Sequence, residues 1–145
     1  MRLFRSKEYS VDKLQKNQLD ANPIIELRKW LRKAARSKVK DYNALNLATI
    51  DDNMDISSRI VLLKEVNDRG LVFFTNYNSR KATDIENNNR VSVTFFWPEL
   101  EKQVRIHGIA SKLDNSENDA YFKTRNYKSQ VASIISPQSE IIESR

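Results

Sequence analysis

The sequence predicts a mainly β protein with flanking helices, built on an antiparallel core of about five strands. Three observations carry that expectation. Between Leu45 and Leu113, runs rich in β-branched and aromatic residues follow one another: "LNLATI", "SRIVLLKEV", "LVFFTN", "RVSVTFFW" and "KQVRIHGIASKL". Short polar segments such as "DDNMD", "NDRG" and "PELE" separate several of them. Helical periodicity is confined to the two ends and one insertion. Short strands in meander order can close on themselves, so a split or closed barrel with peripheral helices is the expected architecture.

Residues 1–21 are polar and read as a mobile N-terminal arm. Asn22 is placed to cap a helix and Pro23 fits its first position. Leu27, Trp30, Leu31 and Ala34 then recur at helical spacing with Arg and Lys between them, which predicts an amphipathic helix over 23–40. "SRIVLLKEV" and "LVFFTN", joined by "NDRG" with Gly70, read as a hairpin. "NSRKATDIENN" reads as a short helix capped by Asn78 or Ser79. After the last two strands, "SENDAYFKTRNYKSQVASIIS" returns to helical pattern until Pro137 interrupts it. No internal repeat is present.

A chain of 145 residues fits one domain, 1–145. The absence of cysteine excludes disulfides, thiolate catalysis and cysteine-zinc sites, and is compatible with a reducing cytoplasm. No secretory signal and no bilayer-length apolar run are visible. The expected location is cytoplasmic. His107 alone cannot build a multi-histidine metal site, so no metal is expected. No Ser-His-Asp pattern, phosphate loop or GxGxxG occurs, and no catalytic side chain is identified. The net charge of +6 suits an anionic partner, although ordinary solubility explains it as well.

Three constellations carry chemistry. In "SRIVLLKEV", alternation places Arg59, Val61, Leu63 and Glu65 on one face and Ile60, Leu62, Lys64 and Val66 on the other. Arg59 and Lys64 therefore point apart and do not grip one small group together; both as snorkelling strand-end charges is the bland alternative. Arg80 and Lys81 fall in the first turn of the short helix, where cations oppose the helix dipole and an anion would relieve the conflict. Solvated surface charge explains them equally well. Tyr121, Arg125 and Ser129 are spaced four apart, which on one continuous helix gives a phosphate-binding row; an exposed polar stripe is the alternative. "FFW", Phe95 to Trp97, could stack a base or a flavin, and core packing explains it at least as well.

Together, "SRIVLLKEV", "GLVFFTNYNSRKATDIENNNRVSVTFFW", "LEKQVRIHG", "YFKTRNYKSQ" and "SPQS" resemble the pyridoxine/pyridoxamine 5′-phosphate oxidase family. The resemblance runs from "RSKEY" to the C-terminus. It implies an FMN-binding split β-barrel and a homodimer with FMN at the subunit interface. It implies FMN contacts at Arg59, Ile60, Val61, Leu62, Leu63, Lys64, Phe74, Thr75, Arg80, Lys81, Gln103, Gln138 and Ser139. The substrate would fall to Lys64, Tyr121, Arg125 and Ser129, with Lys7 and Tyr9 from a covering arm in which Ser6 replaces an expected basic residue. The implied chemistry is oxidation of pyridoxine or pyridoxamine 5′-phosphate to pyridoxal 5′-phosphate, FMN taking the hydride and O₂ accepting it in turn. Members of the family continue past the point where this sequence stops, with a tryptophan and an Arg-x-His stretch that have no counterpart here. A flavin-binding module without oxidase activity therefore stands beside the oxidase reading. A single-strand nucleic-acid binder with "FFW" as platform is the third and least favoured.

Overall fold

The computed structural model describes residues 13–135 and 138–139. A short 3₁₀ turn at Lys16–Gln18 leads into helix α1, Pro23–Arg36. Strands β1 (Ala44–Ile50), β2 (Ile56–Asn67) and β3 (Gly70–Phe73) follow. Helix α2 (Arg80–Asn87) separates them from β4 (Arg90–Trp97) and β5 (Lys102–Ile109), and α3 (Asn115–Thr124) and α4 (Tyr127–Ile135) complete the described elements. The strands form one curled antiparallel sheet in the order β3-β2-β1-β4-β5. The mainly β architecture with flanking helices is the one the sequence predicts.

Helix α1 begins where expected: the Asn22 Oδ1 accepts from the Ile24 N–H at 2.9 Å, and Pro23 occupies the first turn. It ends at Arg36, short of the predicted residue 40. Lys38 takes a left-handed φ of 55°, the Lys38 N–H donates to the Ala35 carbonyl, and the Val39 N–H donates to the Ala34 carbonyl. Val39 and Ala34 are both buried at this cap, so a hydrophobic contact closes it. Lysine in the position usually given to glycine hid the stop from the sequence.

The β2–β3 hairpin pairs Asn67 with Gly70, whose φ of +137° suits glycine. A β-bulge inserts Lys64 between the pairs Leu63–Phe73 and Glu65–Val72. The strict alternation predicted for β2 therefore holds from Arg59 to Leu63 and then shifts. Val66 joins Leu63, Leu71 and Phe73 against the core, and Glu65 is exposed.

The core lies between α1 and the concave face of the sheet. Leu27, Leu31 and Ala34 of α1 meet Leu45 and Leu47 of β1, with Phe95 and Trp97 of β4 alongside. The Phe95 and Trp97 rings stack with centroids 5.5 Å apart, and the Trp97 Nε1–H donates to the Tyr42 carbonyl at 2.8 Å. "FFW" is thus core packing at its two ends, while Phe96 points outward.

That outer face carries apolar side chains that no described residue covers. Ile60 and Leu62 of β2, Phe96 of β4 and Ile109 of β5 are 65%, 44%, 64% and 72% exposed. His107 and Arg105 share this side of β5, and His107 is exposed there. On the concave side, a cavity of about 820 Å³ opens between the ends of β3 and β5, floored by Leu45, Leu47, Val93 and Ile106.

Candidate functional site

The inward positions of β1 read Leu45, Leu47, Thr49, two apolar residues and then a hydroxyl with no solvent exposure. Arg59 stands opposite Leu47 in register, which makes Thr49 its diagonal neighbour. The Arg59 Nη1–H donates to the Thr49 Oγ1 at 2.6 Å, and the Thr49 hydroxyl donates to the Asp84 Oδ2 at 2.6 Å. The Arg59 Nη2 lies 3.7 Å from the same carboxylate oxygen, and Asp84 is only 4% exposed.

Helix α2 brings a second cation to the same place. Lys81 and Asp84 are three apart and both buried, on the face that also carries Ala82 and Ile85 against the sheet. The Lys81 Nζ donates to the Thr75 Oγ1 and the Ser79 Oγ, each at 3.1 Å, and the Ser79 hydroxyl donates to the Asn76 carbonyl. Burial pushes the Lys81 ammonium below its usual range, the Arg59 charge adds to this, and Asp84 opposes it. One buried cation, Lys81, and one half-buried cation, Arg59, thus lie in the field of one carboxylate.

Arg80 is exposed, and its Nη2 pairs with the Asp51 Oδ2 at 3.1 Å. The Asp51 carboxyl is held below its usual range chiefly by the Asp55 backbone N–H, with Asn53 and Arg80 assisting against burial. The Arg80 backbone N–H, at the start of α2, donates to the Ser139 Oγ at 3.3 Å. No acidic residue occupies that first turn. Ser79 stands at the cap position, but its side chain makes no capping bond.

A third group forms where β3 meets α3. The Phe74 and Tyr121 rings stack with centroids 3.6 Å apart and planes 5° from parallel, and the Lys64 Nζ lies 5.9 Å from the Tyr121 ring centroid. Arg69 and Glu117 form an ion pair, and the Asn118 Nδ2–H donates to the Tyr77 Oη at 3.1 Å, tying α3 to the same edge. Arg59 and Lys64 thus engage different partners; alternation put them on opposite faces of β2, and Lys64 sits at the bulge that interrupts that alternation.

Other expected site residues are placed differently. Tyr121, Arg125 and Ser129 do not share one helix face, because the helix breaks at Arg125 and Asn126. Arg125 takes an extended conformation, the Asn126 Oδ1 accepts from the Ser129 N–H to start α4, and the Gln130 Nε2–H caps the Arg125 carbonyl. Asn126 is a better helix start than a helix interior, which is the physical reason the row is interrupted. Gln103 pairs with Phe96 in register and is exposed on the outer face, on the opposite side of the sheet from the Arg59 cluster. Gln138 and Ser139 lie in a turn. Lys7 and Tyr9 fall outside the described residues. Among the described residues, no group of His, Asp and Glu is placed to hold a metal.

Sequence reasoning missed Thr49 and Asp84, and gave Ser79 only as a helix cap. A threonine ending the alternating set Leu45, Leu47, Thr49 was the available signal for the first. An aspartate three residues from Lys81, on the face shared with Ala82 and Ile85, was the signal for the second.

Basic, hydroxyl-lined and anchored on a helix start, the Arg59–Lys81 cluster suits a phosphate monoester. The family profile described as pyridoxamine 5′-phosphate oxidase matches residues 31–145. The chain belongs to that family. Among curated relatives, the pyridoxine/pyridoxamine 5′-phosphate oxidase of Haemophilus ducreyi is 45% identical over 138 residues, covering 95% of this chain and 66% of the relative. That of Haemophilus influenzae is 47% identical over 135 residues, covering 93% and 64%. The chain therefore spans about two thirds of the length of these relatives. Among solved structures, PhzG from Burkholderia lata, in complex with tetrahydrophenazine-1-carboxylic acid, superposes with a TM-score of 0.88 at 33% identity, covering 94% of this chain and 69% of that one. A pyridoxamine 5′-phosphate oxidase-related, FMN-binding protein from Nostoc punctiforme superposes at 0.67 with 19% identity, covering 87% and 70%, a likeness of fold. The split-barrel fold expected from the sequence is the fold of these neighbours.

Proposed function

We propose that this chain acts as an FMN-dependent oxidase that converts pyridoxine or pyridoxamine 5′-phosphate to pyridoxal 5′-phosphate. The observation that carries the reading is the buried Lys81 ammonium, held by the hydroxyls of Thr75 and Ser79 beside Arg59. Such a cluster gains from an anion, and Arg59, Thr75 and Lys81 are positions where the family resemblance puts FMN.

In this reading Arg59, Lys81, Arg80 and Ser139 hold the FMN phosphate. The backbone from Ile60 to Leu63 lines the flavin, with Phe74, Thr75 and Gln138 adjoining. FMN, when bound, supplies the hydride acceptor and the reaction with O₂. The protein's own residues bind and orient. Lys64 and Tyr121 stand together, and in this reading they take a second phosphate with Arg125 and Ser129, which are parted by the α3–α4 break rather than set along one helix. Lys7 and Tyr9 complete the substrate arm. No side chain is assigned as acid or base.

The uncovered outer face, with Ile60, Leu62 and Phe96, suits a homodimer. Gln103 lies on that face, so it would serve the flavin of a second copy rather than its own. No helix among the described residues is long and apolar enough to cross a membrane, and the proposed location is cytoplasmic.

A flavin-binding module without this oxidase activity is the second reading. The observation favouring it is the cavity of about 820 Å³ that stands open in the sheet's concave side. The purified protein is expected to take up FMN, with a flavin absorption spectrum, and to turn pyridoxine 5′-phosphate over to an aldehyde. FMN uptake without turnover supports the module. A colourless protein that cannot take up FMN, yet binds oligonucleotides with steep salt dependence, contradicts both.

A further inference from the structure

Asp84 is the most deeply buried carboxylate among the described residues, and neither the family resemblance nor the roles assigned above include it or Thr49. We propose that Thr49 and Asp84 form a positioning relay that fixes the Arg59 guanidinium, so that the site reads the phosphate group of its flavin rather than the ring alone. The proposal rests on the flavin reading above and adds to it the residues that set its phosphate selectivity.

The directions of the hydrogen bonds carry the argument. A guanidinium can only donate, and an ionised carboxylate can only accept. The Thr49 hydroxyl stands between them, 2.6 Å from the Arg59 Nη1 and 2.6 Å from the Asp84 Oδ2. Its proton is therefore committed to Asp84 and its lone pair to Arg59. A β-branched side chain on a strand is stiff at χ1, so this hydroxyl is a fixed peg. The Asp84 Oδ2 also faces the Arg59 Nη2 at 3.7 Å, which holds the same edge of the fork electrostatically.

The guanidinium carries more N–H groups than these two contacts use, and those are the donors left for an anion. Asp84 lies in the field of Lys81 as well, where its charge opposes the effects of burial and of Arg59. One carboxylate thus restrains two like charges that would otherwise repel, while leaving the cluster net positive. A contrary expectation follows from charge alone: an anion beside the site weakens phosphate binding, and its removal strengthens it. The relay makes the opposite prediction, because a preorganised fork loses less freedom on binding.

The test uses the whole purified chain, titrated with FMN and with riboflavin and read by flavin fluorescence. Asp84→Asn and Thr49→Val are each expected to weaken FMN by about tenfold or more, in line with other orienting partners of a ligand-binding group. Riboflavin affinity is expected to stay within about twofold. The double variant is expected to be little worse than the poorer single one, since Asp84→Asn weakens, by removing the charge, the same chain of contacts that Thr49→Val cuts at the hydroxyl. FMN affinity that is unchanged or tighter overturns the relay, as does an equal loss of both flavins, which marks a purely structural pair. Should Asp84→Asn fail to fold, Thr49→Ser decides: it keeps the hydroxyl and is expected to recover most of the FMN affinity lost in Thr49→Val, and a serine variant as weak as the valine one overturns the relay. Wild-type protein that binds neither flavin overturns the flavin reading itself, an outcome distinct from wild-type binding with insensitive variants.

Discussion

Replacing Arg59 with methionine keeps much of the aliphatic stem and removes the guanidinium, leaving the Asp84 carboxylate without its nearest cation. The separation of 3.7 Å corresponds to an attraction of about 4.5 kcal/mol at an effective dielectric of about 20. Asp84 stays buried in the variant, so most of its desolvation cost remains. The Thr49 hydroxyl still donates to it, and Lys81 still compensates part of its charge. The Arg59 side chain is 21% exposed, and solvent screening trims the effect further. The expected loss is about 3 kcal/mol, the lower end of the range for breaking a buried pair from one side. Urea unfolding measures it: with a slope of about 1.5–2 kcal/mol/M, the midpoint falls by about 1.5–2 M at unchanged slope. Adding Asp84→Asn to this variant is expected to return about 1 kcal/mol or more, because it removes the stranded charge. An Arg59→Met protein within about 0.5 kcal/mol of wild type, or a double variant weaker than the single one, refutes the reasoning.

Lys81 has its proton affinity lowered by folding, so the unfolded chain binds that proton more tightly. The destabilisation is fully present below the folded value and disappears as pH rises toward the usual 10.5. Thermal midpoints of wild type relative to Lys81→Met are therefore expected to climb as pH rises toward that value, and a flat difference contradicts the burial argument. Asn22→Ala removes the Ile24 N–H contact at the start of α1 and is expected to cost about 1 kcal/mol in urea unfolding. Arg80→Ala is expected to weaken FMN retention with little loss of stability, since its partner Asp51 keeps backbone hydrogen bonds from Asn53 and Asp55; unchanged retention removes Arg80 from the site. Ile60→Asp places a charge among the exposed apolar residues of the outer face; if the proposed homodimer forms there, the variant is expected to sediment as a monomer with its own core intact, and an unchanged sedimentation coefficient removes this face from the proposed interface.

The strands were legible because the burial of this sheet's concave face imposes period two on residues such as Val93, Phe95 and Trp97. Where a local device interrupted the period, the sequence was silent. The Lys64 bulge moved Val66 to the core side, and no glycine or proline marked it. The left-handed Lys38 ended α1 early for the same reason. Asn126 did carry a signal, since it caps better than it propagates a helix, and it divided the Tyr121–Ser129 row. At the site, Arg59 and Lys81 were visible as cations at odd positions. Thr49 and Asp84, which contact Arg59, were not, because a buried hydrogen bond between distant elements leaves no spacing rule behind. Gln103 could be assigned to a flavin site by resemblance but not to a side of the sheet until its pairing with Phe96 was known.

The central claim is that the Arg59–Lys81 cluster recognises a phosphate monoester borne by a flavin. Calorimetric titration of the purified chain with FMN and riboflavin tests it most directly. The account predicts one FMN per chain, bound at least about a hundredfold more tightly than riboflavin, with that margin largely lost in Lys81→Met. Equal affinity for the two flavins, or a margin that survives the loss of Lys81, contradicts it.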